Sequence, residues 1–173
     1  MLETLTEVGR GLFAAVFTVA AAGKSRPRVF TDLSASLAPY GLTGRALSRL
    51  VATTLIAAEA TVAAALLLGH VSAGLGLAAL LLAVLAGGVL VSMRRQLNVR
   101  CACFGSTGET LGRRQLWRNI TLGALALILA LAPSGPTPLG PAERLLLMAT
   151  GVSLGVAIVV HDSVTSAITT RNL

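Results

Sequence analysis

Apolar residues run along this chain in blocks too long for the core of a small soluble domain, and the charges collect between them. Val51 to Leu68 is interrupted only by Glu59, and Val71 to Met93 carries no charge at all. At 1.5 Å per residue, helices of this length reach across a hydrocarbon layer of about 30 Å. Leu5 to Gly23 is a third block, free of charge only from Gly11 because Glu7 and Arg10 lie in its first part. Asn119 to Pro133 is shorter and approaches spanning length when Leu116 and Trp117 extend it; Leu145 to Val160 is the last block. The pattern predicts an all-α integral membrane bundle of four to five transmembrane helices. They form a single domain over residues 1–173, with spans at approximately 8–23, 49–69, 71–93, 117–133 and 144–161.

The connections differ in charge. Residues 24–49 carry Lys24, Arg26, Arg28, Arg45 and Arg49 against Asp32, and residues 94–118 carry six arginines against Glu109. The turn at Gly69-His70 and the Pro/Gly-rich stretch 134–143 have almost no positive charge. Cationic loops stay on the cytoplasmic side, so both basic connections are expected there, with the N-terminus outside and the C-terminus inside. Within the first basic connection, Phe30, Leu33, Leu37 and Tyr40 recur at helical spacing and predict a short surface helix ended by Pro39 and Gly41.

Val19-Ala20-Ala21-Ala22 has the small residues of a signal-peptide cleavage site, but the residues before it are acidic and Lys24, Arg26 and Arg28 follow at once. Those flanks predict a retained first membrane helix.

Composition narrows the classes further. The chain is 54% hydrophobic and 12% charged, against about 25% charged in ordinary soluble domains, and its mean hydropathy is +0.81. The net charge of +7 flanks apolar runs, as beside anionic lipid, and only 3% of residues are aromatic. The partner implied is a lipid bilayer and not nucleic acid. No nucleophile triad, phosphate loop or pair of acids is present, so hydrolase and nucleotide-binding readings have no support.

The chemistry concentrates in Cys101-Ala102-Cys103-Phe104-Gly105, which holds the only two cysteines. A C-x-C disulfide closes a small ring, and strained disulfides are the oxidising, labile kind. Arg94, Arg95, Arg100, Arg113 and Arg114 nearby favour thiolate over thiol. A structural zinc or an iron–sulfur cluster usually takes four ligands, and this chain adds only the distant His70 and His161, so no metal site is expected. Gly105 permits a sharp bend beside the thiols, and Phe104 can plug into the bundle.

Glu59 lies near the middle of a span, where a carboxyl is costly and by default functional. Two expectations stand side by side: a proton relay or ligand site, and a structural pair with Arg10. Lys24, at the end of the first span, reads as a snorkelling anchor. Asn119 reads as a cap or an interhelical hydrogen-bonding residue. A quinone near Glu59 is a candidate cofactor, although no motif or aromatic-rich pocket calls for it.

Several of these residues together resemble the MauE family of membrane proteins, grouped with DoxX-like redox-associated proteins. The shared elements are Ala-Ala-Gly-Lys24, Tyr40, Glu59, Cys101-Ala-Cys103-Phe104-Gly105 and Asn119, over roughly residues 8–132. The resemblance implies a multi-pass protein of the bacterial plasma membrane that helps mature an exported client, with a thioredoxin-like partner. In the methylamine system that client is the disulfide-rich small subunit of methylamine dehydrogenase. It makes Cys101 and Cys103 the redox pair, supported by Phe104, Gly105, Glu59, Lys24 and Asn119. A cytoplasmic C-x-C fits a carrier that takes electrons from a cytoplasmic thioredoxin and passes them outward; an oxidant of exported proteins would present its thiols outside. Two rival readings are a non-catalytic assembly subunit of a membrane complex and a quinone- or small-molecule-binding membrane protein centred on Glu59.

Overall fold

The computed structural model describes residues 2–42, 44–97, 112–132 and 140–171, with side chains from residue 3 to residue 161. Cys101, Cys103, Phe104 and Gly105 lie outside the described residues. Among the described residues, six α-helices follow in order: α1 Leu2–Lys24, α2 Pro27–Ala35, α3 Arg45–Leu67, α4 Val71–Arg94, α5 Arg113–Ala130 and α6 Pro141–Arg171. No strand occurs among the described residues, and the chain is an all-α helical bundle. Helices α1, α3, α4 and α6 are long and apolar enough to cross a membrane.

The most buried of these four spans is α1. Its Phe13, Val16 and Phe17 form the core with Val62 and Leu66 of α3, Leu75 and Leu82 of α4, and Leu122 and Leu129 of α5. The large apolar side chains that remain exposed, such as Leu80, Val84, Ile128 and Leu146, point away from this core. In a helical bundle made to sit in lipid, such a belt faces acyl chains.

Helix directions follow from which residues meet. Arg10 reaches the carbonyls of Leu66 and Leu67, while Lys24 reaches Glu59, so α1 and α3 are antiparallel. Gly11 lies against Met148, Gly151 against Val8 and Leu12, and Gly155 against Leu12 and Ala15, so α6 runs parallel to α1. At Gly155 an added Cβ would stand 2.7 Å from the Leu12 carbonyl oxygen. Such spacing is open only to residues without a side chain, as in small-residue contacts between membrane helices.

Helix α5 starts beside the end of α4, and its Leu129 lies against Gly9 near the start of α1. It therefore runs the length of the bundle, although three arginines in its first six residues lower its hydropathy. Residues 117–130 supply about 21 Å of mostly apolar helix at 1.5 Å per residue. Exposed Trp117 and the flanking arginines suit an interface, where amphipathic side chains make up a shortfall in length.

The ends are shaped by named caps. After α3, the Gly69 and His70 N–H groups donate to the carbonyls of Leu66 and Ala65, and Gly69 takes φ +92°. This is the Schellman arrangement, which glycine reaches at no steric cost. After α4 the same pattern recurs, with Gln96 donating to Met93 and Leu97 to Ser92, but here Gln96 carries the positive φ of 51°. Gly112 opens α5 with its N–H donating to Gln115 Oε1.

The surface helix expected in the first basic connection is present but ends earlier. Helix α2 stops at Ala35, and a 3₁₀ turn over Ala38–Tyr40 follows, closed by Gly41 at φ +91°. Leu33 is buried, and Tyr40 donates its hydroxyl to the Gly88 carbonyl at 3.3 Å, so the segment is fastened to α4.

Candidate functional site

Among the described residues, five polar or charged ones are buried: Lys24, Ser48, Glu59, Ser92 and Asn119. Ser48 is in the first turn of α3, Ser92 in the last turn of α4, Lys24 at the end of α1, and Asn119 in the second turn of α5. All four positions belong to one end of the bundle, and Glu59 leans toward it. This is the end at which α4 stops and α5 begins, and so the end from which the connection bearing Cys101 and Cys103 departs.

At its centre the Lys24 ammonium donates to Glu59 Oε1 at 2.6 Å, with the two residues 2% and 1% exposed. The geometry has a simple cause. Helical side chains lean toward the N-terminus of their own helix. In antiparallel α1 and α3, side chains displaced along the axes therefore lean toward each other, and Lys24 and Glu59 meet between their Cα levels. Burial of either charge alone would be prohibitive; paired, each supplies the other's counter-charge.

Two expectations are corrected here. Lys24 does not snorkel, because Glu59 holds its ammonium inside the bundle. Nor does Glu59 pair with Arg10. The Arg10 guanidinium donates from Nε to the Leu66 carbonyl at 2.7 Å and from Nη2 to the Leu67 carbonyl at 3.2 Å, and it lies 3.4 Å from Glu7. Arg10 meets the far end of α3, two turns beyond Glu59, where unsatisfied carbonyls attract a cation.

Among the described residues, Glu59 Oε2 and Asn119 Oδ1 are buried without a hydrogen-bond partner. Arg118, next to Asn119, is near enough for its charge to oppose that of Lys24. Arg118 was not singled out from sequence; an arginine just inside an apolar run and beside an asparagine is the signal that marks it. Buried Ser48 and Ser92 were likewise found only in three dimensions; of the two, Ser92 lies at the end of α4. The Ser92 hydroxyl donates to the Leu97 carbonyl at 3.2 Å, where the chain leaves α4. Among the described residues, no group of three His, Cys, Asp or Glu side chains converges as a metal site would require.

The model of the methylamine utilisation protein MauE matches residues 2–132, from the first helix through α5. The chain belongs to the MauE family. The matched region holds the Lys24–Glu59 pair, Tyr40, Asn119 and the C-x-C, and leaves out α6. No curated protein and no solved structure matches the chain. With four helices of spanning length and composition, this MauE-family member is a multi-pass membrane protein associated by family with methylamine utilisation.

Proposed function

We propose that the protein is a membrane thiol–disulfide redox protein whose working pair is Cys101 and Cys103. One thiolate attacks a partner's disulfide, forming a mixed disulfide and releasing one partner thiolate. The neighbouring cysteine then displaces the second partner sulfur. The chain's dithiol becomes a disulfide, the partner's disulfide becomes a dithiol, and two electrons pass to the partner. In reverse, the same steps oxidise an exported client. The expected partners are a thioredoxin-like protein and that client, in the bacterial plasma membrane with both basic connections toward the cytoplasm.

One observation carries this reading. The buried polar residues gather at the end of the bundle that joins α4 to α5, the connection in which both cysteines lie. In the sequence, Arg94, Arg95, Arg100, Arg113 and Arg114 around the cysteines favour the thiolate on which exchange depends.

The test is trapping. Membranes from cells expressing Cys101→Ser or Cys103→Ser are quenched in acid, alkylated and resolved without reductant. One of the two variants should accumulate a reducible adduct with a second protein, because the resolving thiol is gone. The double serine variant should reach normal abundance and trap nothing. No adduct with either single variant, or a double variant that retains client maturation, would overturn the proposal.

A further inference from the structure

Charge is divided unevenly between the two ends of the bundle. At the end where α4 stops and α5 begins, Arg45 and Arg49 open α3, Arg94 and Arg95 close α4, and Arg113 and Arg114 open α5. All six are exposed, as are Arg26 and Arg28 at the start of α2. Among the side chains described, the acids at this end are exposed Asp32 and buried Glu59, whose charge is already met by Lys24. At the opposite end Arg10 and Arg144 are offset by Glu3, Glu7 and Glu143.

The placement of these arginines matters as much as their number. Helices α3, α4 and α5 all pack against α1, so arginines at their ends surround the bundle axis. Arg45 and Arg49, one turn apart, share a face of α3. Like charges arranged in this way sum to a field that draws in anions and speeds their encounter. The connection bearing both cysteines leaves after Arg95 and returns at Arg113, so anything that reaches the thiols meets that field. Lipid headgroups meet each helix from its outward side. A water-soluble partner approaching along the bundle axis meets the arginines of all of them.

We propose that this end of the bundle is an electrostatic docking face, selecting water-soluble exchange partners with an acidic surface around their disulfide. The inference rests on the thiol–disulfide reading above and names the chemistry of the partner. The arginines act at the encounter, by concentrating anionic partners; bond exchange itself is left to the cysteines.

The probes are two chromogenic disulfides, dianionic 5,5′-dithiobis(2-nitrobenzoate) and neutral 2,2′-dithiodipyridine, reacted with the reduced full chain in phosphatidylcholine nanodiscs. In either reaction the chain's dithiol loses two electrons and two protons and becomes a disulfide, while the probe's S–S bond is cleaved to two thiols. Raising salt from about 0.01 M to about 1 M shortens the screening length from about 30 Å to about 3 Å. That change should slow the anionic probe about tenfold or more relative to the neutral one. Arg45→Gln with Arg49→Gln should slow the anionic probe severalfold at low salt and spare the neutral one, which reports thiolate reactivity alone. Arg144→Gln, at the far end, should change neither. Equal salt dependence of the two probes, or a variant that slows both alike, would overturn the docking face and leave the exchange reading standing. The wild-type advantage over the double variant should persist when phosphatidylglycerol is mixed into the nanodiscs. Its loss there would assign the arginines to lipid headgroups and overturn the proposal. No reaction with the neutral probe would overturn the exchange reading, and this inference with it.

Discussion

Lys24 and Glu59, 35 residues apart, meet at 2.6 Å inside the bundle and tie the end of α1 to the middle of α3. With the Arg10 bonds to the Leu66 and Leu67 carbonyls, the pair adds a polar tie between α1 and α3 to a scaffold held mainly by apolar contact and close glycine packing. Its two halves are interdependent, because neither charge has water to return to.

Removing one partner should therefore cost far more than removing both. Lys24→Met or Glu59→Leu alone is expected to lower stability by about 3–5 kcal/mol, and the double variant by much less. Thermal unfolding of purified protein in detergent measures this. A double variant as unstable as the worse single variant would show that the pair is not what balances the burial. If the double variant is stable but fails to mature a client, the pair has a functional role beyond the fold.

Arg10 and Glu59 are independent sites, since Arg10 serves the carbonyls at the end of α3. Arg10→Met should cost about 1–2 kcal/mol through lost charge-assisted bonds. Its effect should add to that of Glu59→Leu within about 0.5 kcal/mol, as for separated residues. A double-mutant cycle with a coupling above that margin would restore the Arg10–Glu59 pairing expected from sequence.

The α1–α6 contact depends on bare backbone at Gly11 and Gly151. A Cβ at either would overlap a carbonyl oxygen of the facing helix, Met148 in one case and Val8 in the other. Gly151→Ala should destabilise by about 1–3 kcal/mol through overpacking. Gly88→Ala, where a Cβ meets nothing, should be neutral or stabilising by up to about 1 kcal/mol. Equal melting temperatures for the two variants would contradict the close helix approach.

Gln96 holds a left-handed conformation at the cap of α4. Glycine adopts it without steric cost, so Gln96→Gly should raise stability by about 0.5–1 kcal/mol. The cap also sets the direction in which the chain leaves α4. Any change in cysteine exchange rate in this variant would report on that direction, and a fall in melting temperature would argue against strain at Gln96.

Much of the helical plan was legible in the chain. Charge-free runs of spanning length marked α3 and α4, and Gly69-His70 marked the turn between them, because hydropathy and turn chemistry are local properties. The short helix at Phe30–Leu33 was visible in its spacing, but its early end at Ala35 was not; the fastening of Tyr40 to Gly88 on a distant helix accompanies that difference. Glu59 stood out because a carboxyl in an apolar run is anomalous wherever it occurs. Its partner could not be read in the same way. Arg10 and Lys24 are both basic residues of the first helix, and only the antiparallel register and the lean of the side chains select Lys24. Asn119 likewise looked like a cap or a bridge, and its burial, with Oδ1 unpartnered among the described residues, exists only once the helices are packed. What the sequence by itself determined was the membrane class, the helical blocks and the family motifs. The tertiary structure decided the pairing of the buried charges, the parallel contact of α1 with α6 and the burial of Asn119. These depend on distances between segments far apart in the chain, which no local pattern encodes.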